Sequence, residues 1–529
     1  MKNRKYALIG LLLSFLLLSL DSAATTLNRA NSAEPETIDP HKSIGIPDGN
    51  IVRELFEGLV GEDSDGNIVP GVAKSWVISE DGLIYTFHLQ DNAKWSNGDP
   101  LTANDFVYSM QRVLLPATAA PYTNFLFPIK NAEKISQRHV PLEKLGVQAT
   151  APHTLVITLE HPTPYFLSSL IHVTLFPVHE ATIKKWGDGF TQPGRIISNG
   201  AYILRKWVVN GSMTLEKNPY YWNASTVKID TVNYFPVTDG MAMVRMYQAN
   251  QIDFTSTIPS NQIKALQQQL GNEVKINPFL ANIFYSLNLE KSPLKDNVKL
   301  RQALNMAIDR EAITNFIMGQ QQKPLYALLP STVKGATAIT FPWATLNTPE
   351  RNKIAQQLYQ EAGFSKENPA TLSILYNTTD EHKKLALAVS SMWKKVLGVN
   401  TALENQEWKV FLGSRRRGDF IIARNGWVAD YNYPTTYLEL FMCDNPQNYS
   451  RYCNKRYDEL IQQASFSNND LERQKFYDEA HQLLLADYPL IPLYEATEFH
   501  LIKPYVKGYT GKNPLQHTYS KNLWIEEKS

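Results

Sequence analysis

Within ARNGWVADYNYPTTYL, residues 423–438, one arginine and one aspartate, Arg424 and Asp430, stand six positions apart, with Gly426, Trp427, Tyr431, Asn432, Tyr433 and Pro434 between or just after them. An isolated carboxylate thus stands beside an indole, on a segment too rich in turn-formers for a plain strand or helix. On the residues alone it reads first as a solvated turn aspartate that caps Asn432. Reactive signatures are lacking elsewhere. There is no G-x-S-x-G, no H-E-x-x-H and no Gly-rich phosphate loop, and the 11 histidines are scattered. Ser-x-x-Lys recurs, as at Ser331 to Lys334 and Ser391 to Lys394, but without the Lys-Thr-Gly or Lys-Ser-Gly partner that acyl-serine enzymes pair with it. Binding is the better class of answer than catalysis, and no cofactor or metal is implied.

The elements that must position such a segment mix strands and helices. Leu83, Tyr85, Phe87 and Leu89 alternate with Ile84, Thr86 and His88, which predicts a half-buried strand, and Thr154 to Leu159 predicts another. Ser96-Asn97-Gly98-Asp99-Pro100 marks a turn, after which Thr102 caps a helix burying Phe106 and Val107. In HKKLALAVSSMWKKVLG the apolar positions Leu385, Ala388, Val389, Met392, Trp393 and Val396 recur at helical spacing, with Gly398 as the stop. A further helix is expected from about Leu471 to Leu485, and residues 500–529 read as strands and turns returning to an earlier domain. Strands and helices in both halves give an α/β chain with more than one sheet.

The chain opens with Lys2, Asn3, Arg4 and Lys5, an apolar run from Tyr6 to Leu20, and Ser22-Ala23-Ala24. This order of charged, greasy and small zones predicts a secretory signal peptide, residues 1–24, cleaved after Ala24; the run is short for a membrane anchor. With no cysteine near that point, a lipid-anchored N-terminus is not expected. About 505 mature residues exceed one core and predict two or three domains. A net charge of +1 gives no reason to seek nucleic acid or anionic lipid. Cys443 and Cys453, the only cysteines, have nine residues between them and are expected to form a local disulfide in an oxidising compartment rather than a metal site.

AKSWVISEDGLIYTFHLQDNAKWSNGDPLTANDFVYS resembles the signature of family 5 extracellular solute-binding proteins, the peptide-binding subunits of ABC importers. SNGAYILRKW, LEKNPYYWN, YQANQIDF and VKLRQALNMAIDREAI continue the likeness in order, and LYNTTDEHKKLALAVSSMWKK, NQEWKVFL and RNGWVADYNYPT place it nearest the Gram-negative oligopeptide and murein-peptide binders. The resemblance implies an α/β two-lobed clamp of the periplasmic-binding-protein type with an additional third domain. One lobe joins residues 25–56, 182–280 and 498–529, the extra domain spans 57–181, and the second lobe spans 281–497. Ligand is expected in the cleft between lobes that close by hinge motion.

By the same resemblance Asp430 is expected to take a peptide's α-ammonium group, and Arg424 and His382 its carboxylate. Arg424 has a structural alternative as the partner of a neighbouring acid, and His382 as a residue that only opens its helix, where Asp380 looks the better cap. Peptide backbone would be read near Gly426 and Val428, with Asn377, Tyr122, Trp408 and Trp427 lining side-chain pockets unless the aromatics only fill the core. Two departures stand out: Tyr433 where relatives usually carry an acid, and Met318 where some carry a lysine. Fewer cations for the carboxylate of longer peptides imply ligands of about three residues. The implied partners are short peptides and membrane permease subunits, with no nucleic acid, for a monomer in the periplasm. The same scaffold binding haem, a metal chelate or an antimicrobial peptide is the alternative, a receptor dedicated to murein peptides a narrower one, and a secreted hydrolase the weakest.

Overall fold

Tyr85, Phe87 and Leu89 are buried, and Thr86 and His88 half-buried, in a strand that runs from Ile84 to Leu89, one residue later than the alternation begins. The structure is a computed structural model that describes residues 24–526 apart from 320, 321 and 468, and not the side chains of 260, 408 and 409. The signal segment, residues 1–23, and the Trp408 side chain lie outside it. Ile84–Leu89 sits between Ala73–Ile78 and Thr154–Thr158 in a four-stranded antiparallel sheet completed by Val147–Ala151. Thr102 and Asp105 close a capping box on the helix Ala103–Leu114, whose Phe106 packs inward.

A second sheet of four holds Thr26–Asn31, Thr231–Pro236, Ser212–Lys217 and Tyr202–Val208 in that order, the first pair parallel. A third, of six, runs Lys323–Pro324, Leu490–Leu501, Val274–Leu287, Ile422–Val428, Thr371–Asn377, Asn400–Gln406. Its two longest members, Val274–Leu287 and Leu490–Leu501, pair with each other from Val274↔Leu501 to Ser286↔Leu490 and connect two cores. At one end Val274, Phe499 and Leu501 pack with Ala30, Met243 and Tyr247. At the other, Tyr285, Leu287, Ile491 and Leu493 pack with Leu304 and Trp393. Between those ends the register shifts at Pro278/Asn282 and Ile283/Phe284, and such irregularities bend and twist a strand pair.

The helix Asp380–Leu397 ends at Gly398, in the left-handed region at φ 84°, as the spacing predicts. Its cap differs from the expectation: Thr379, not Asp380, has the extended backbone of a cap, and its hydroxyl accepts from the His382 N–H at 3.0 Å. The later helix covers Asp470–Asp487, capped by Asn469. Cys443 and Cys453 are disulfide-bonded, Cα atoms 4.5 Å apart. The C-terminal segment returns to the first strand, where Arg29 Nη1 donates to Thr518 O, Ser520 Oγ and Glu54 Oε1 at 2.9–3.0 Å. No helix among the described residues is long and apolar enough to cross a membrane.

The motif VKLRQALNMAIDREAI owes its residues to packing. Arg310 is fully buried, and its guanidinium donates to the carbonyls of Leu325, Pro492, Asn305 and Ile308 and to Asn305 Oδ1, at 2.8–3.3 Å. It thereby fastens the helix Val298–Met306 to the strand Leu490–Leu501 with no acid involved. Arg310→Leu would leave these acceptors buried and unpaired, each costing about 1–3 kcal/mol. We expect a loss of at least ~3 kcal/mol, read as a lower thermal midpoint; a midpoint unchanged within error would refute this role.

Candidate functional site

The strand Ile422–Val428 is paired along its whole length on one side, from Leu287↔Ile422 to Ala281↔Val428. On its other side Thr371–Asn377 meets it only at Ile374↔Ile422 and Leu375↔Ala423. From Arg424 to Val428 no described strand pairs with that edge, although within it the Gly426 N–H is taken by Asn425 Oδ1 at 2.9 Å and the Trp427 N–H by Asn282 Oδ1 at 3.1 Å. Gly426 is required by close approach, since a Cβ there would lie 2.8 Å from Asn282 O and 2.9 Å from Ile283 Cδ1.

Alternation sends the side chains to two faces. Arg424 lies on the face of Tyr285, its cross-strand partner, and feels the charges of Glu381 and Tyr494. None of these comes within ion-pair or hydrogen-bond distance, and Nε is buried without a partner. His382 is close enough for the Arg424 charge to act on it; burial first, then that charge, pushes its imidazole down to about 3. Its Nδ1 lies 3.3 Å from Asn377 O, so Nδ1 carries the proton and Nε2 is left an acceptor. The neutral ring's one N–H is thus turned to Asn377 O. Asn377, at the strand end, keeps a buried Oδ1 without a partner.

Beyond Val428 the chain turns. Ala429 N donates to Leu280 O at 2.9 Å, and the Thr436 hydroxyl accepts from both Trp427 Nε1 at 3.1 Å and Asp430 N at 3.3 Å. This fixes the Asp430 backbone but leaves its carboxylate without a hydrogen bond or ion pair among the described residues. It does not cap Asn432, whose Oδ1 accepts from Lys334 N at 2.8 Å. Burial alone pushes the Asp430 carboxyl up to about 7. The hydroxyls of Tyr122, Tyr431 and Tyr437 feel its charge, yet each is engaged elsewhere, with Ile44 O, Thr435 Oγ1 and Leu280 O respectively.

Tyr122 comes from the part of the chain that carries the first sheet, so the site is assembled from distant segments. Phe125 sits edge-on to Tyr431, with ring centres 6.1 Å apart, and Tyr165 stacks on Tyr431 at 5.1 Å. Tyr433 joins this cluster against Tyr165 and Tyr477. Met318 is buried in the core around Trp393 and has no route to the open edge. Of the Ser-x-x-Lys pairs, Ser331 binds Glu495 and Lys394 binds Asn400.

Asn425 and Trp427 face the other side, where a cavity of about 370 Å³, its mouth included, is lined by Gly426, Trp427, Asn425 and Arg415 among others. Arg415 is 8% exposed, donates to Asn425 Oδ1 at 2.8 Å, lies 4.2 Å over the Tyr449 ring, and has a buried Nε without a partner. Sequence reading missed it within Arg415-Arg416-Arg417, a run that looks solvated throughout, although a helical face turns one residue in three inward.

The family model of bacterial extracellular solute-binding proteins, family 5 Middle, matches residues 67–449. The chain is 43% identical over 503 residues to the periplasmic oligopeptide-binding protein OppA of Salmonella typhimurium, covering 94% of this chain and 92% of that one. The structure of the Escherichia coli murein tripeptide binding protein MppA aligns at a TM-score of 0.86 and 39% identity, over 95% of this chain and 99% of the other. That of Haemophilus influenzae OppA in complex with RPPGFSPFR aligns at 0.84 and 38%, over 95% and 99%.

The raised Asp430 carboxyl has a signed consequence. The folded state favours the neutral acid, so the penalty is absent below the ordinary carboxylate range, grows as pH rises toward about 7, and is constant above. Because the side chain keeps some solvent contact, the penalty at pH 8 is on the order of 1–2 kcal/mol. Without added peptide, Asp430→Asn is therefore expected to raise the thermal midpoint by about 3 °C at pH 8 and to leave it unchanged at pH 4; a fall at pH 8 would contradict the assignment.

Proposed function

The chain belongs to the bacterial extracellular solute-binding proteins of family 5, and on that premise we propose that it is a periplasmic receptor which captures short peptides in an interlobe cleft and delivers them to the membrane permease subunits of an ABC importer. The observation that carries this reading is the desolvated Asp430 carboxylate, without a partner among the described residues, at one end of a strand edge whose other end holds Arg424, whose buried Nε likewise has none among them. A zwitterionic chain satisfies both. Its ammonium gives Asp430 charge-assisted hydrogen bonds, its carboxylate meets the fork of Arg424, and its backbone pairs with Arg424–Val428, running antiparallel to that strand. His382, close enough to Arg424 to feel its charge, is the second candidate for that carboxylate.

Length follows from spacing. Four strand steps from Arg424 to Val428 cover about 13 Å, and an extended tripeptide with its end groups fills about that distance. Ligands of about three residues are favoured, a cell-wall tripeptide among them, in keeping with the murein tripeptide that the related MppA is named for. Backbone pairing leaves side-chain identity loosely read, with Trp427, Tyr122, Asn377 and Trp408 as pocket walls. We place the hinge in Val274–Leu287 and Leu490–Leu501, between a lobe of residues 25–56, 182–280 and 498–529 with its extra domain 57–181, and a lobe of 281–497. Export with cleavage near Ala24 delivers the receptor to the periplasm. The family's members are binding proteins, and capture without turnover is the expected behaviour; intact peptide recovered by mass spectrometry after incubation checks it.

Asp430→Ala is expected to weaken binding of a free-amine tripeptide at least ~10-fold by calorimetry and to leave an N-acetylated one nearly unchanged; equal losses for both would remove the anchor. In a series from two to six residues, affinity should peak near three, and a flat series would exclude the length rule. Protonation competes with the ligand's ammonium for Asp430, so affinity should fall about 10-fold per pH unit below about 7, whereas pH-independent binding between 5 and 8 would count against it.

A further inference from the structure

The part of the chain that carries the first sheet meets the part that carries the six-stranded one along a seam of rings. Tyr165 stacks on Tyr431 and tilts against Tyr433, with ring centres 5.1 and 5.6 Å apart, and His161 meets Phe466 edge-on at 5.1 Å. A side-chain hydrogen bond crosses the same seam, from Tyr165 Oη to Glu439 Oε1 at 3.3 Å. The Glu439 side chain has no other polar partner among the described residues; burial pushes its carboxyl up to about 7, and the Tyr165 hydroxyl alone opposes that. Resting on the peptide-receptor reading above, we propose that Tyr165 and Glu439 form a latch between the two lobes, which holds the closed form together and sets how long a bound peptide stays, whatever its side chains.

Each half of the latch is fixed to its own side. Phe166, next to Tyr165, packs edge-on against Tyr85 of the first sheet at 5.0 Å. On the other side Glu439 O accepts from Asn445 Nδ2 at 2.8 Å, and Leu438 O accepts from the Tyr457 hydroxyl at 2.6 Å. The seam can therefore part without either side unfolding, and parting it returns the Glu439 carboxylate to water. Closing takes that water away and gives back one hydroxyl. The exchange is asymmetric: removing the donor leaves a desolvated acid unanswered, whereas removing the charge lifts the cost of desolvation and keeps an acceptor for Tyr165. The latch also bears on the anchor, since Tyr431, the residue after Asp430, is held between the rings of Tyr165 and Phe125. A ligand gains only from the closed form, so whatever shifts the closed fraction scales the release of every peptide alike.

Stopped-flow binding of Ala-Ala-Ala and Ala-Phe-Ala to the full-length mature protein at pH 8 tests this. Tyr165→Phe keeps the ring stack and loses the donor; it is expected to speed release of both peptides about 10-fold and to leave association within about twofold. Glu439→Gln should slow release of both by about threefold, because closing no longer strips water from a charge. A contact that only packs the fold does not give opposite signs at its two ends. Release unchanged in Tyr165→Phe, release no slower than the parent's in Glu439→Gln, or an effect confined to one of the two peptides would each overturn the latch, and the Glu439→Gln result decides alone if Tyr165→Phe does not fold. A parent that binds neither peptide overturns instead the receptor reading beneath it.

Discussion

A half-buried carboxylate, that of Asp430, largely desolvated and given no partner among the described residues, is the constraint from which the rest of this account follows. Several buried acids in the chain are answered. Asp39 meets Arg112 at 2.6 Å, Glu54 meets Arg29 at 3.0 Å, Glu57 accepts from Lys521, Tyr221 and Trp222, and Glu62 accepts from His517 and Tyr519. Asp430 has no such partner among the described residues, and desolvation is its only cause of perturbation; Glu498 and Glu439 are also pushed up to about 7 by desolvation, but they keep the Phe499 N–H and the Tyr165 hydroxyl respectively. Isolated desolvated charge is costly, and such groups cluster at functional sites.

The supporting geometry makes sense in that light. The Thr436 hydroxyl takes two N–H groups and freezes the turn; Tyr431 and Tyr437 crowd the carboxylate but spend their own hydroxyls elsewhere; Gly426 lets the strand lie close to Asn282. The same economy holds at the Arg424 end, where Glu381 and Tyr494 temper the guanidinium's charge without taking its donors. Two long strands with irregular register carry these groups between cores that pack separately. One of the register shifts, at Ile283/Phe284, lies opposite Gly426 and Asn425 of the edge itself.

Much of the fold was legible because local signals agreed with burial. The stop at Gly398, the cap at Thr102 and the Cys443–Cys453 link all follow from residue type and spacing. The helix cap at Thr379 was misread because Asp380 is also a good capping residue, and only backbone conformation separates them. Family likeness pointed to Asp430 and Arg424, but no periodicity reveals that their partners are missing, since that depends on segments hundreds of residues away. Arg415 was hidden by its arginine neighbours, and the donor state of His382 by a carbonyl, Asn377 O, that only the folded chain supplies.

The central claim is that the Asp430 carboxylate is strained by desolvation and relieved by a peptide ammonium. Carbon-13 NMR of the Asp430 side-chain carboxyl, titrated with and without saturating tripeptide, reads it directly. The account predicts a midpoint near 7 for the protein alone and a midpoint below the ordinary carboxylate range once peptide is bound. An ordinary midpoint in both titrations would contradict it.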